Sequence, residues 1–185
     1  HPSLKALFSP IHLLLALSII IFFAFGLFHL SRFVTADEHY WLHERIPQYW
    51  NAFNNHVWKK TLINDKPGVS LALLSGVGLF FEPHPETHDI KNTEKLEIYE
   101  TERTQSLLTA FRLPLLIFNA FFLLYLFFIV ATLTRNRWIA LWTTAATALS
   151  PILIGISQIV NPDALLWSFG TGAFFTYLIT FQNSQ

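Results

Sequence analysis

The sequence predicts an all-α polytopic membrane protein, and three observations support this fold class. Hydrophobic residues make up 52% of the chain and charged residues only 13%, whereas about a quarter of the residues in a soluble domain are charged. Four uncharged apolar stretches are each long enough to cross the hydrocarbon core of a bilayer as a helix. The net charge is zero, which argues against the basic face of a nucleic-acid-binding protein. The predicted architecture is a helical bundle with four transmembrane helices and a long outer loop.

The four predicted transmembrane helices follow the apolar stretches. The first stretch, from Ile11, is too long for the apolar part of a signal peptide, and no small-residue cleavage site follows it. Pro114 would lie in the first turn of the second helix, where a missing N–H costs nothing. Pro151 would fall inside the third helix and should kink it or end it early. The predicted helices are residues 11–32, 113–134, 138–160 and 164–181.

Charge placement predicts the orientation of these helices. Lys5 precedes the first helix, and Arg135 and Arg137 lie in the short turn between the second and third. The positive-inside rule therefore makes residues 1–10, 135–137 and 182–185 cytoplasmic and places residues 33–112 and 161–163 outside. All the acidic residues lie in those two outer segments.

Two residue types are missing from the composition. The chain has no cysteine, so no disulfide and no thiolate zinc site is possible within it. It also has no methionine, not even at residue 1. We therefore expect these 185 residues to be a piece of a longer protein.

The outer loop, residues 33–112, is too long to lack structure of its own. Apolar residues recur at three- and four-residue steps from Ile46 to Val57, which predicts an amphipathic helix at the membrane interface. Residues 67–81 are apolar but too short and glycine-rich for a span, which favours a re-entrant or interfacial helix. Lys66 at its start would make a positive spot that suits a phosphate, or it would simply snorkel towards the headgroups.

Acidic residues in the two outer segments are candidates for chemistry. Asp37 and Glu38 follow the first helix, and Asp163 lies in the last outer turn, so all three reach the same membrane face. Carboxylates at such a place suit proton abstraction, cation binding or both. The alternative is that they are solvated loop residues near the headgroups.

Two histidine pairs have the spacing of one helix face, His39 with His43 and His84 with His88. This spacing can serve a metal ion. Pro85 interrupts the second pair and neither pair shows the HExxH order, so surface histidines are the simpler interpretation.

Several motifs taken together resemble the GT-C glycosyltransferases. The similar branch holds the protein O-mannosyltransferases, the lipid A aminoarabinose transferases and related bacterial enzymes. The motifs are the acidic pair after the first helix, a Lys-Pro element that opens a loop helix, RLPLL at the second helix, and SPILIGISQIVNPDALLW running into an outer acid. The resemblance covers nearly the whole chain, as the amino-terminal part of a protein with many more spans.

The resemblance implies an inverting transfer of a sugar from a polyprenyl-phosphate or dolichyl-phosphate carrier. The sugar would be mannose-like or another hexose or pentose, and the acceptor would be a protein, a lipid or a glycan. The reaction would take place at the extracytoplasmic face of the plasma (inner) membrane, among membrane lipids. The sequence thus favours a lipid-phosphate-sugar-dependent glycosyltransferase.

The same resemblance implies roles for individual residues. Asp37 would be the catalytic base, Glu38 would complete its acidic pair, and Asp163 would be the second outer-loop acid. The lipid phosphate would lie near Lys66, with Arg112 as a second phosphate partner.

The resemblance requires no cofactor but leaves room for a divalent metal. In the aminoarabinose transferases a Glu before the Lys binds zinc, and here that position is Asp65, the candidate metal ligand. Gly68 departs from the common Lys-Pro-Pro order and leaves the subfamily open.

Two other functions stay open at this stage. A transporter or flippase would also place ionisable groups near cavities in the membrane, although the predicted spans hold no acid. A non-catalytic membrane subunit could share the same scaffold.

Overall fold

A computed structural model describes residues 9–62, 68–88, 90 and 102–184, and this part of the chain is helical without any strand. The helices are α1 (Pro10–His29), α2 (Glu38–Tyr40), α3 (Ile46–Asn54), α4 (Val69–Ser75), α5 (Glu102–Thr134), α6 (Arg137–Ala148), α7 (Pro151–Ile156) and α8 (Asp163–Asn183). The predicted all-α membrane fold class is confirmed, because three of these helices are long and apolar enough to cross a membrane.

The prediction of four continuous transmembrane helices is wrong at the third. In the described part of the chain the helices that qualify are Pro10–His29, Arg103–Thr134 and Asp163–Gln182. The predicted third span, 138–160, is instead split between α6 and α7. Ser150 has an extended backbone with ψ 122°, because the ring of the following proline disfavours the helical conformation for it. The expectation that Pro151 ends the helix early is confirmed.

The broken segment still returns along the bundle. α6 begins three residues after the end of α5 and packs against both α5 and α1, and α7 contacts α1, α6 and α8. Beyond α7, the backbone N–H of Val160 donates to the Glu38 carboxylate, which follows the far end of α1. The segment therefore connects the two ends of the bundle, although not as one helix.

The predicted start of the second transmembrane helix lies too late in the sequence. α5 starts at Glu102, eleven residues before the predicted start at 113. Its first turns are polar, so an apolar stretch marks only the later part of the helix. Pro114 consequently lies inside α5 and not in its first turn. It offers no N–H to the carbonyl of Ala110, four residues earlier.

The outer loop folds against the outer part of α5 and has a core of its own. One buried apolar cluster joins α1, α5, α6 and α7 within the bundle. A second cluster joins the loop to α5 and to the start of α8. Its largest fully buried members are Trp41, Leu42, Ile46, Leu71, Leu107, Leu108, Phe111 and Leu115. Burying an aromatic or leucine side chain contributes about 1.5–3 kcal/mol. The loop is therefore a packed part of the molecule.

The helix predicted from Ile46 is present as α3, preceded by the π-helical turn Trp41–Arg45. Pro47 explains the turn, because it cannot donate to the carbonyl of His43 and its ring would clash there in a regular α-helix. α3 buries Ile46, Tyr49 and Ala52 against the loop core. The helical stretch that starts at Glu38 therefore runs without a break to the end of α3.

Glycines in the loop make room for aromatic rings. A Cβ added at Gly76 would lie 1.8 Å from the indole nitrogen of Trp50, which donates to the carbonyl of Ala72 at 2.8 Å. The same test brings Gly68 within 2.0 Å of the Trp41 ring and Gly78 within 2.8 Å of a ring carbon of Phe111. The glycine-rich composition of this segment therefore serves close packing, and α4 continues into a 3-10 turn, Gly76–Phe80.

Candidate functional site

A buried ion pair stands at the point where the acidic pair meets α5. Arg112 and Glu38 are both 0% exposed. The Arg112 Nε donates to Glu38 Oε1 at 2.8 Å, and its Nη2 donates to Oε2 at 2.6 Å. This is the bidentate geometry in which a guanidinium binds a carboxylate most specifically.

Backbone groups complete the surroundings of this ion pair. Glu38 also accepts from the N–H of Thr35 and from the N–H of Val160, each at 2.8 Å. Arg112 donates in addition to the carbonyl oxygens of Leu30 and of Phe33, the latter at 2.6 Å. The two side chains thereby join the end of α1, the start of α2, α5 and the segment before α8.

This arrangement defines what Arg112 and Glu38 can do. A guanidinium offers five N–H groups, and in Arg112 the carboxylate and two carbonyls hold all three nitrogens. Neither side chain is open to a substrate in this structure. Removing one partner of such a buried pair costs about 3–5 kcal/mol, because an uncompensated charge stays behind. The pair is built to hold four chain segments together.

Asp37 lies directly before this fixed carboxylate. It is half-buried, and its carbonyl accepts from the N–H of Trp41 at 3.4 Å, at the start of the helical stretch. Its neighbour Glu38 is held through four hydrogen bonds, so the backbone of Asp37 is fixed while its side chain stays partly exposed. A carboxylate in that situation is able to meet a ligand from outside.

Asp163 is exposed and begins α8. Its N–H donates to the side-chain oxygen of Asn161 at 3.0 Å, which fixes the turn. Val160, three residues earlier, contacts Glu38, and Asp37 adjoins Glu38 in the chain. Three residues span at most about 11 Å. Both outer acids therefore reach the region of the buried ion pair, from segments far apart in the sequence.

Two predicted site residues fall outside the described part of the chain. These are Lys66, predicted near the lipid phosphate, and Asp65, the predicted metal ligand. Among residues 9–62, 68–88, 90 and 102–184 no group of three or more His, Asp or Glu side chains has the arrangement of a metal site. The two histidine pairs at helical spacing thus have no third ligand with them there.

The two histidines of the second pair, His84 and His88, have different surroundings. His84 is exposed and contacts Glu86 at 3.2 Å, whereas His88 is buried and its Nε2 lies 3.6 Å from Glu82. Burial lowers the pKa of His88 below its ordinary value of 6.5, and the nearby positive charge of Arg103 lowers it further against the opposing effect of Glu82. The imidazole of His88 is therefore neutral at pH 7.

An open groove of about 930 Å³ runs beside the ion pair, between α5 and the α4 segment. The end of the groove near Gln105 has polar side chains on α5, and the end near Phe121 is apolar. The lining residues on α5 are Gln105, Ser106, Thr109, Ala110, Leu113, Pro114, Ile117, Phe118 and Phe121, and none of the groove's described lining residues is charged. The groove suits a ligand with a long apolar part and a polar end.

The contacts of Glu38 with Arg112 and of Gly68 with Trp41 do not follow from the sequence motifs. One signal does point to the first contact. Arg112 is a lone charge at the border of an uncharged run, and such a charge needs a partner. Nothing in the sequence selects Glu38 over the neighbouring acids as that partner.

Comparison with known proteins gives one family. The family model described as dolichyl-phosphate-mannose-protein mannosyltransferase matches residues 60–185. The match covers about two thirds of the chain, including Arg112 and Asp163, and begins after the acidic pair. Searches of curated proteins and of solved structures gave no match.

Proposed function

We infer a function from the premise that this chain belongs to the dolichyl-phosphate-mannose-protein mannosyltransferase family. The family indicates a membrane glycosyltransferase of the mannosyltransferase type. We propose that the reaction is an inverting, GT-C-type transfer of a mannose-like sugar from a polyprenyl-phosphate carrier. The acceptor would be a hydroxyl group at the extracytoplasmic face of the plasma (inner) membrane, and the favoured acceptor is a protein.

One observation carries the proposal: Asp37 is partly exposed and adjoins the buried pair of Glu38 and Arg112. In the proposed step the Asp37 carboxylate takes the proton of the acceptor hydroxyl. The acceptor oxygen then forms a bond to the anomeric carbon as the bond from that carbon to the carrier phosphate breaks. A positioned base contributes about 10²–10⁴-fold to such a step.

The leaving group needs no acid catalyst, because a lipid phosphate departs as a stable anion. Positive charge aimed at the phosphate would stabilise it, and Lys66 is the proposed source. Lys66 precedes Gly68 by two residues, and Gly68 packs on the ring of Trp41, which lies one helical turn after Asp37. This short separation along the chain supports the choice of Lys66 in the proposal. The buried Arg112 has a positioning role in this proposal, in place of phosphate binding.

Asp163 and the groove complete the proposed site. Asp163 is the second acid that reaches this region, and we assign to it the orientation of the acceptor or of a divalent metal, for which Asp65 is the proposed ligand. The groove beside α5 is proposed to take the isoprenoid chain of the carrier, because its apolar end lies deeper along α5 than its polar end.

The test of this function is the release of free polyprenyl phosphate by the full protein in vesicles. A panel of polyprenyl-phosphate sugars is supplied with peptide, lipid and glycan acceptors. The proposal expects release that needs both a donor and an acceptor, with inverted anomeric configuration in the product, and with Asp37→Asn as the inactive comparison. Movement of the carrier across the membrane without a covalent product would instead indicate a flippase. No response to any donor, from folded protein, would indicate a scaffold subunit.

A further inference from the structure

A contiguous aromatic surface lies on the outer loop. Ring centroids follow one another from Phe80 to Trp50 at 6.4 Å, to Phe53 at 5.8 Å and to Trp58 at 5.6 Å, and Trp58 stacks on His56 at 5.7 Å. We call these five residues the loop patch. Phe80 is 79% exposed and Trp58 is 59% exposed.

The backbone holds the loop patch in this shape. His56 has a left-handed backbone, φ 57°, which reverses the chain after α3, and the N–H of Val57 donates to the carbonyl of Ala52 at 2.8 Å. The hydroxyl of Thr61 donates to the carbonyl of Trp58 at 2.7 Å. The rings of His56 and Trp58 are therefore presented by a closed turn. A contiguous exposed apolar patch is typical of a surface that contacts a protein or a membrane.

The charges around the loop patch identify the chemistry of that partner. Lys59 and Lys60 are exposed on the turn that carries Trp58, and the sequence from Arg45 to Leu62 contains no acid. Exposed apolar rings bordered by lysines match the headgroup level of a bilayer, where rings sit at the interface and lysine ammonium groups meet phosphates. Leu62, the next apolar residue, is 68% exposed.

We propose that the loop patch with Lys59 and Lys60 binds the anionic phospholipids of the bilayer surface. The rings of the loop patch enter the interface, and the ammonium groups of Lys59 and Lys60 contact lipid phosphates. These contacts would hold the loop that follows Asp37 at the membrane surface. This inference does not depend on sugar transfer.

The test is titration of the detergent-solubilised protein with phosphatidylglycerol or phosphatidylcholine carrying brominated chains, which quench nearby tryptophan. Each lysine near an anionic surface contributes a factor of about five. We expect phosphatidylglycerol to bind up to about 25-fold more tightly than phosphatidylcholine, and we expect salt to weaken this preference. The change Trp58→Phe should remove a large part of the quenching.

Matched variants make the result specific. Lys59→Gln with Lys60→Gln should abolish the preference, whereas Lys59→Arg with Lys60→Arg should keep it. Removal of the exposed pair Arg135 and Arg137 by glutamine is the control and should leave the Trp58 signal unchanged. The proposal is overturned if the glutamine pair at 59 and 60 keeps the preference, if Trp58 is shielded without lipid by another part of the protein or by a second copy, or if only polyprenyl phosphate is preferred.

Discussion

Exchanging the two charges of the buried pair tests whether Glu38 and Arg112 form a simple ion pair or a junction of four chain segments. The double variant Glu38→Arg with Arg112→Glu keeps one positive and one negative side chain in contact. If attraction between the charges were all that mattered, the exchange would be tolerated. The structure predicts that it is not tolerated, because each side chain also meets backbone groups that need its own chemistry.

The magnitude follows from four backbone hydrogen bonds. The N–H groups of Thr35 and Val160 would face a guanidinium, and the carbonyls of Leu30 and Phe33 would face a carboxylate. A buried group left without its partner costs about 1–3 kcal/mol. Because the hydrogen bonds of Thr35 and Phe33 are only partly buried, we take the low end for all four, which gives about 4 kcal/mol. For a chain of this size that lowers the melting temperature by about 8–16 °C.

The assay is thermal unfolding in detergent, followed by circular dichroism. Arg112→Leu should lower the stability by about 3–5 kcal/mol, because the Glu38 carboxylate then stays buried without its partner. Glu38→Met with Arg112→Met removes both charges but should not restore the wild-type melting temperature, because the four backbone groups stay unpaired. Glu44→Arg, at an exposed acid of the same stretch, is the control and should melt with the wild type. An exchanged double variant that melts within a few degrees of the wild type would refute the reasoning.

Two further changes test the loop. Gly76→Ala should destabilise the protein and expose Trp50, because the added Cβ would lie 1.8 Å from the indole nitrogen. Gly170→Ala is the control: it has open space around the added Cβ and should be neutral or stabilising by up to about 1 kcal/mol. Denaturation followed by tryptophan fluorescence measures both. Because burial lowers the pKa of His88, the unfolded chain binds its proton first, and stability should fall as the pH drops below about 6.5. His88→Gln should flatten this slope in melting curves taken across pH, while the same change at exposed His84 should preserve it.

The apolar stretches predicted the bundle because burial in a bilayer leaves a direct mark on composition. Pro151 marked the break in the third segment as well, since its effect on the preceding residue is local. The start of α5 at Glu102 left no such mark. Its polar first turns are stabilised by packing against the loop, and that packing involves residues distant in the sequence.

The candidate site shows the same division. An acidic pair after a transmembrane helix was visible as a motif, and so was the acid in the last outer turn. The difference in burial between Asp37 and Glu38 was not visible, because the burial of Glu38 depends on Arg112, 74 residues further on in the chain. Arg112 was predicted to face a phosphate, and its burial against Glu38 replaces that interpretation. Likewise the sequence does not show why residue 68 is a glycine, because the reason is its close contact with the ring of Trp41.

The central claim is that Asp37 removes the proton of the acceptor while Glu38 only positions it. The most direct measurement is the single-turnover rate of transfer from polyprenyl-phosphate-mannose by Asp37→Asn, compared with the wild type and with Glu44→Gln. We expect the Asp37 variant to keep the wild-type melting temperature and to lose about 10²–10⁴-fold in rate, and we expect Glu44→Gln to keep its rate. Transfer by folded Asp37→Asn at the wild-type rate would contradict the account.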